Sequence, residues 1–208
     1  MTTQDHLVVR SHQDHPEDMP VSARRVTGWL RGDEARSLDD PGLVSSLGCR
    51  LHEAGLGFDR LAFHVGTLHP EVFARILAWS PNEPVEVYER DHPATVAAGF
   101  PESPFYRAAI SQRKLVARAL EPPILGRAAG HLLQDRGVGE LVAAPFSDRN
   151  GRTVIVSFCT ARPNAFSPAD HLAIDSIVSS LQEMGRRHRV SRPSGSKHAG
   201  ISRAAPPG

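Results

Sequence analysis

Residues 140–184 read ELVAAPFSDRNGRTVIVSFCTARPNAFSPADHLAIDSIVSSLQEM, and this stretch decides the fold. Glu140–Phe146 and Thr153–Thr160 are apolar runs rich in β-branched residues, the composition of paired strands. Between them lies SDRNGR, whose Asn150-Gly151 pair suits a hairpin turn with positive φ. A helix start follows. Ser167 and Asp170 form an S-x-x-D capping box, and Pro168 takes the first helical position. Ile174, Ile177, Val178 and Leu181 then recur at helical spacing, with Met184 continuing the stripe. The stretch therefore predicts strand, hairpin, strand and a closing helix.

Upstream, the periodicity predicts two helices and then a change to strands. Residues 21–31 carry Val26, Trp29 and Leu30 on one helical face. Residues 41–54 repeat the pattern with Leu43, Val44, Leu47 and Leu51, opened by Asp39 or Asp40 as cap and Pro41, and stopped by Gly55. From Phe58 the period shortens: Leu61, Phe63 and Val65 alternate with Arg60, Ala62 and His64, as in a half-buried strand. Val72–Trp79 and Pro84–Glu89 read as second and third strands, joined by the turn residues Ser80-Pro81-Asn82-Glu83. Short links between three consecutive strands imply an antiparallel meander.

Residues 92–136 break this rhythm. Prolines and a lack of long period predict loop and short helix, with a brief strand at Leu115–Leu120 and an amphipathic helix at Pro122–Gln134. An excursion of this kind covers one face of the sheet, and the first and last helices cover the other. The expected fold class is α/β (α+β), a three-layer sandwich around a mostly antiparallel sheet of about five to six strands.

Composition bounds the function. The chain has 208 residues, 24 Lys plus Arg against 23 Asp plus Glu, and a formal charge of +1. Near-neutrality speaks against a nucleic-acid binder, and no run approaches the about 18 apolar residues of a membrane span. The polar opening is unlike a secretory signal, so the cytoplasm is the expected location. Residues 1–20 hold four acids and one base, and residues 186–208 hold six bases and no acid. Both are expected to be disordered, an acidic leader and a basic tail around one domain at 21–185.

The element order, with Leu141–Phe146, Gly151, Val154–Phe158 and Phe166-Ser167-Pro168-Ala169-Asp170, resembles a GAF domain. A more specific likeness covers about residues 24–185. LHEAGLGFDRLAFHVGTLHPEVFARILAWSPNEPVEVYER with SPFYRAAI is similar to the regulatory region that precedes the catalytic domain in bacterial class III adenylate/guanylate cyclases. Ala54-Gly55-Leu56, Thr67-Leu68-His69-Pro70 and Ser103-Pro104-Phe105 carry it. The resemblance implies a GAF-like regulatory module. The metal-binding aspartates of a cyclase are not met after Met184, so it implies the regulatory role and withholds the enzymatic one.

Three sets of residues invite chemistry. The eleven histidines show no HxxxH or HExxH pair on one helix face, so no metal site is expected. Cys49 and Cys159 have no local base, and Gly137-Val138-Gly139-Glu140 precedes a strand rather than opening a helix, so neither a thiol nucleophile nor phosphate binding is supported. No catalytic residue or cofactor is assigned.

In GAF-like domains the excursion between strands roofs a small-molecule pocket. The resemblance thus points to Phe105 and Tyr106 from the roof, Trp79 from the sheet, and Arg118 for an anionic group, unless these residues only complete the core. The stripe Leu172, Ile174, Ile177, Val178, Leu181 and Met184 serves the core or a homodimer through the terminal helices. The expected function is a non-catalytic sensory module that binds a small ligand, dimerises, or both. The alternatives are a cyclase's regulatory fragment and a ligand-free dimerisation scaffold.

Overall fold

A computed structural model describes residues 21–66, 72–91, 103–120, 137–148 and 150–190. The leader, most of the tail and the helix expected at Pro122–Gln134 lie outside the described residues. The elements are α1 (Val21–Leu30), α2 (Asp33–Ser37), α3 (Asp40–Glu53), β1 (Arg60–Gly66), β2 (Val72–Trp79), β3 (Glu86–Asp91), α4 (Pro104–Ser111), β4 (Leu115–Leu120), β5 (Val138–Ser147), β6 (Thr153–Thr160) and α5 (Pro168–Val190). Six strands form one sheet in the order β3-β2-β1-β6-β5-β4, with every neighbouring pair antiparallel. The first three strands make the expected meander outward from the centre. The chain then crosses by way of α4 to the far edge and returns through β5 and β6.

Local chemistry sets the boundaries. The Asp39 carboxylate accepts from the Gly42 amide at 2.9 Å and caps α3. At α5 the capping box is reciprocal: Ser167 Oγ accepts from the Asp170 amide at 3.1 Å, and Asp170 Oδ2 accepts from the Ser167 amide at 2.9 Å. In the β5–β6 hairpin, Asp148 Oδ1 accepts from the amides of Asn150 and Arg152, both at 2.8 Å, and Gly151 supplies the positive φ. The third strand begins at Glu86 rather than Pro84, because proline has no N–H for the ladder. The closing helix runs to Val190, five residues into the segment expected to be tail, since nothing there breaks the helical backbone.

One sheet face is covered by α1, α3 and α5. Leu47, Leu51, Leu61, Phe158, Ile174 and Ile177 are fully buried in a continuous core on this side. The stripe on α5 is used within the chain: Ile174, Ile177 and Leu181 are fully buried, and Leu172 and Val178 are half-buried. Gly48 lets α3 approach closely, because a Cβ there lies 2.3 Å from the Trp79 ring. The opposite face carries α4 over β4, β5 and β6. Strand β1 is consequently buried on both faces, Arg60, Ala62 and His64 included, and not half-buried as its alternation suggests.

Candidate functional site

The two sheet faces differ in kind. The α1/α3/α5 face is apolar and continuous, whereas the α4 face is split. Phe105 and Ala108 from α4 cover Leu141, Ala143, Ile155 and Cys159 on one half. On the other half, Ala62, Ile76 and Ala78 form a small patch with Tyr88 packed against it. Side chains from β1 form a polar seam between the halves, because Arg60 and His64 share this face with Ala62. The antiparallel register sets Arg60 opposite Cys159 and Ala62 opposite Ser157.

His64 anchors α4. Its ring stacks on Phe105 with centroids 4.1 Å apart and planes at 26°. His64 Nε2 lies 3.1 Å from Ser157 Oγ, and that hydroxyl is 3.5 Å from the Ala62 carbonyl. Both polar side chains are buried.

Arg60 is the cation of the seam. Its side chain is 3% exposed, and it donates from Nη1 to Ser80 Oγ at 3.2 Å and from Nη2 to Glu86 Oε2 at 2.7 Å. Nη2 also reaches the Tyr88 hydroxyl at 3.4 Å. Burial disfavours the charge, but the hydrogen bonds to Glu86 and Tyr88 outweigh it and hold the guanidinium pKa above its usual value. Nε is buried and has no hydrogen-bond partner among the described residues. A buried donor in that state costs about 1–3 kcal/mol.

The arrangement suits recognition better than covalent chemistry. Ser157 and Cys159 are both buried, and Ser157 Oγ is engaged with His64. Burial pushes the Cys159 thiol up to about 12, with nearby Arg60 pulling it down and Asp59 adding to the rise. It is therefore protonated at neutral pH and a weak nucleophile. Among the described residues, no group of three or more His, Cys, Asp or Glu side chains is placed to hold a metal ion.

The structure does not bring the four expected pocket residues together. Phe105 faces the seam through His64, and Tyr106 is half-buried beside it on α4. Trp79 points to the other face, a correction to its expected place opposite the roof. It pairs with Leu61 in register and packs on Phe58, ring centroids 5.5 Å apart, and on α3. The same correction applies to Arg118. It pairs with Glu140 across β4 and β5, on the face of Val142 and Phe158, and its Nε lies 3.3 Å from Glu140 Oε2. That carboxylate is fully buried; it also accepts from the Phe166 amide at 3.3 Å, and His171 Nε2 lies 2.9 Å from Oε1, off the hydrogen-bonding direction. Arg118 thus already has an anion, one supplied by the chain.

Sequence reasoning passed over Arg60, Ser80, Glu86 and Tyr88. A charged residue at the head of the apolar run LAFHV was the available signal. Its partners come from β3 and from the turn that precedes it, which periodicity cannot align.

No family model matches the chain, and no curated protein matches it in sequence. Solved structures do resemble it. The GAF domain of a phosphoenolpyruvate-protein phosphotransferase from Coxiella burnetii is 13% identical with a TM-score of 0.54, covering 82% of this chain and 96% of that one. Free methionine-R-sulfoxide reductase from Neisseria meningitidis, in complex with its substrate, is 11% identical with a TM-score of 0.54, covering 88% and 99%. The phycoerythrobilin-bound GAF domain of a cyanobacterial phytochrome is 14% identical with a TM-score of 0.51, covering 82% and 97%. The fold is GAF-like. A reductase stands among its neighbours, so the fold alone does not decide between sensing and catalysis.

Proposed function

We propose that this chain is a non-catalytic sensory or regulatory module of a bacterial signalling system, and that it binds a small molecule over the polar seam. The observation that carries this reading is Arg60, a buried cation whose Nε has no partner among the described residues, on the sheet face opposite α1, α3 and α5. A core meant only for packing gains nothing from such a group. Two neighbours of the same fold hold small molecules, a bilin and a reductase substrate. The Cys159 thiol, pushed up to about 12 by burial, is a weak nucleophile, which favours sensing over catalysis.

The likeness to the regulatory region of class III cyclases supports a role in controlling such an output, with α5 as the connecting helix. Leu172 and Val178 keep part of their surface open on α5, which favours dimerisation through the terminal helices as a companion property. We place the protein in the cytoplasm, in keeping with the absence of any membrane-crossing helix among the described residues.

A thermal-shift screen of cyclic nucleotides, haem and small metabolites tests the reading. A ligand at a hundred times its dissociation constant stabilises the fold by about 2.7 kcal/mol. Silence across every chemical class, with native mass spectrometry showing only a bare dimer, establishes the scaffold instead.

A further inference from the structure

A sensory module must carry a change at the seam to α5, on the opposite sheet face, and the inference rests on that reading. The sheet between them is stiff. β5 and β6 are buried along most of their length and paired on both sides, and close-packed layers of this kind resist deformation. A shorter route runs round the β4 edge. α4 ends at Ser111, Gln112 caps it in the left-handed region with a φ of 53°, and β4 begins at Leu115. Leu115 is buried with Phe105 and Ala108 on the α4 side. Its neighbour Lys114 turns the other way: Nζ donates to both carboxylate oxygens of Asp175 on α5, at 2.6 Å to Oδ2. One peptide link therefore joins a residue packed under α4 to a residue bound to α5. Beyond it, the alternation of β4 continues the contact with the α5 side. Val116 packs against the core there, and Arg118 reaches Glu140, beside which His171 of α5 lies. Lys114 and Asp175 are 30% and 31% exposed, so their attraction is screened less than that of a pair in open water.

We propose that the Lys114–Asp175 pair couples α4 to α5, carrying a shift of α4 round the sheet edge to the first turns of the closing helix. The far end of α4 is held by the stack of Phe105 on His64. The path thus runs from the seam through His64, Phe105, the cap at Gln112 and Lys114 to Asp175. Such coupling is a free energy shared by two sites, and it is read as non-additivity between changes made at each.

Phe105→Leu serves as the perturbation on the seam side, so the test needs no ligand. Hydrogen exchange over residues 168–180 is followed by mass spectrometry in the full chain, for wild type, Phe105→Leu, Lys114→Met and the double variant. Lys114→Met keeps an apolar stem and removes the charge. Phe105→Leu is expected to speed exchange over 168–180 about threefold, within the range for residues along a coupling path, and to leave it unchanged once Lys114 is Met. Lys114→Glu/Asp175→Lys reverses the pair and is expected to restore the response to Phe105→Leu. No acceleration in α5, or one that persists undiminished in the Lys114→Met background, overturns the proposal. So does equal acceleration over residues 40–53 of α3, which reports a general loosening. A ligand found in the small-molecule screen leaves the sensory reading standing in each of those cases.

Discussion

The imidazole of His64, on the central strand, and the ring of Phe105, on the helix above it, stack with centroids 4.1 Å apart. This contact ties α4 to β1, since α4 otherwise packs on β4, β5 and β6. Any event at the seam that displaces His64 is therefore felt by α4.

Replacing Phe105 with Ala is expected to cost about 3–5 kcal/mol in urea unfolding, the range for a buried aromatic. Phe105→Leu keeps apolar volume and loses only the stack, about 0.5–1.5 kcal/mol. Amide exchange in residues 104–111 is expected to accelerate more than exchange in α3. Equal acceleration in both helices would show that α4 is not docked by this ring.

Gly48→Ala tests the close approach of α3. Alanine raises helix propensity by about 1 kcal/mol. Its methyl, however, falls 2.3 Å from the Trp79 ring, and overpacking costs about 1–3 kcal/mol. Net destabilisation is expected, with a changed tryptophan emission. A gain in stability would mean that Trp79 moves freely.

The two thiols are expected to react differently. Cys49 is exposed and Cys159 buried, so Ellman's reagent at pH 8 is expected to titrate one thiol in the folded protein and two in guanidinium. The pKa of Cys159 is about 12 when folded against 9.0 for a free thiol. The unfolded chain loses its proton first, so stability present below pH 9 declines between pH 9 and 12. Cys159→Ala is expected to flatten that decline, and an unchanged slope would assign it to other groups.

The Glu140 network is expected to respond unequally to its two ends. Arg118 is 58% exposed, and its removal is expected to cost less than about 1 kcal/mol. Glu140→Ala strands the Phe166 amide and empties a buried position, for about 1–3 kcal/mol. Thermal melts of the two variants that coincide would contradict this ranking.

The fold was legible because its signals are local. The hairpin at Gly151, the capping box Ser167–Asp170 and the period change at Phe58 each depend on residues a few positions apart, and the strands at Val72–Trp79, Leu115–Leu120 and Thr153–Thr160 begin and end where their composition places them. The site was legible only in part. Phe105 lies on the excursion as expected and stacks on His64, whereas Trp79 and Arg118 lie on the other sheet face. Alternation along a strand divides residues between two faces and does not say which face meets which helix.

The amino-acid sequence by itself determined the six strands, the helices α1, α3 and α5, their order and the apolar stripes of those helices that leave water, because hydrogen-bond caps, turns and periodic burial act over one or two turns of chain. Tertiary structure alone decided that Arg60 meets Glu86 across 26 positions and that Arg118 is consumed by Glu140. Such pairings arise from strand register and from which helix covers which face. Those are fixed when the whole sheet closes around its core, and no short stretch of chain encodes them alone.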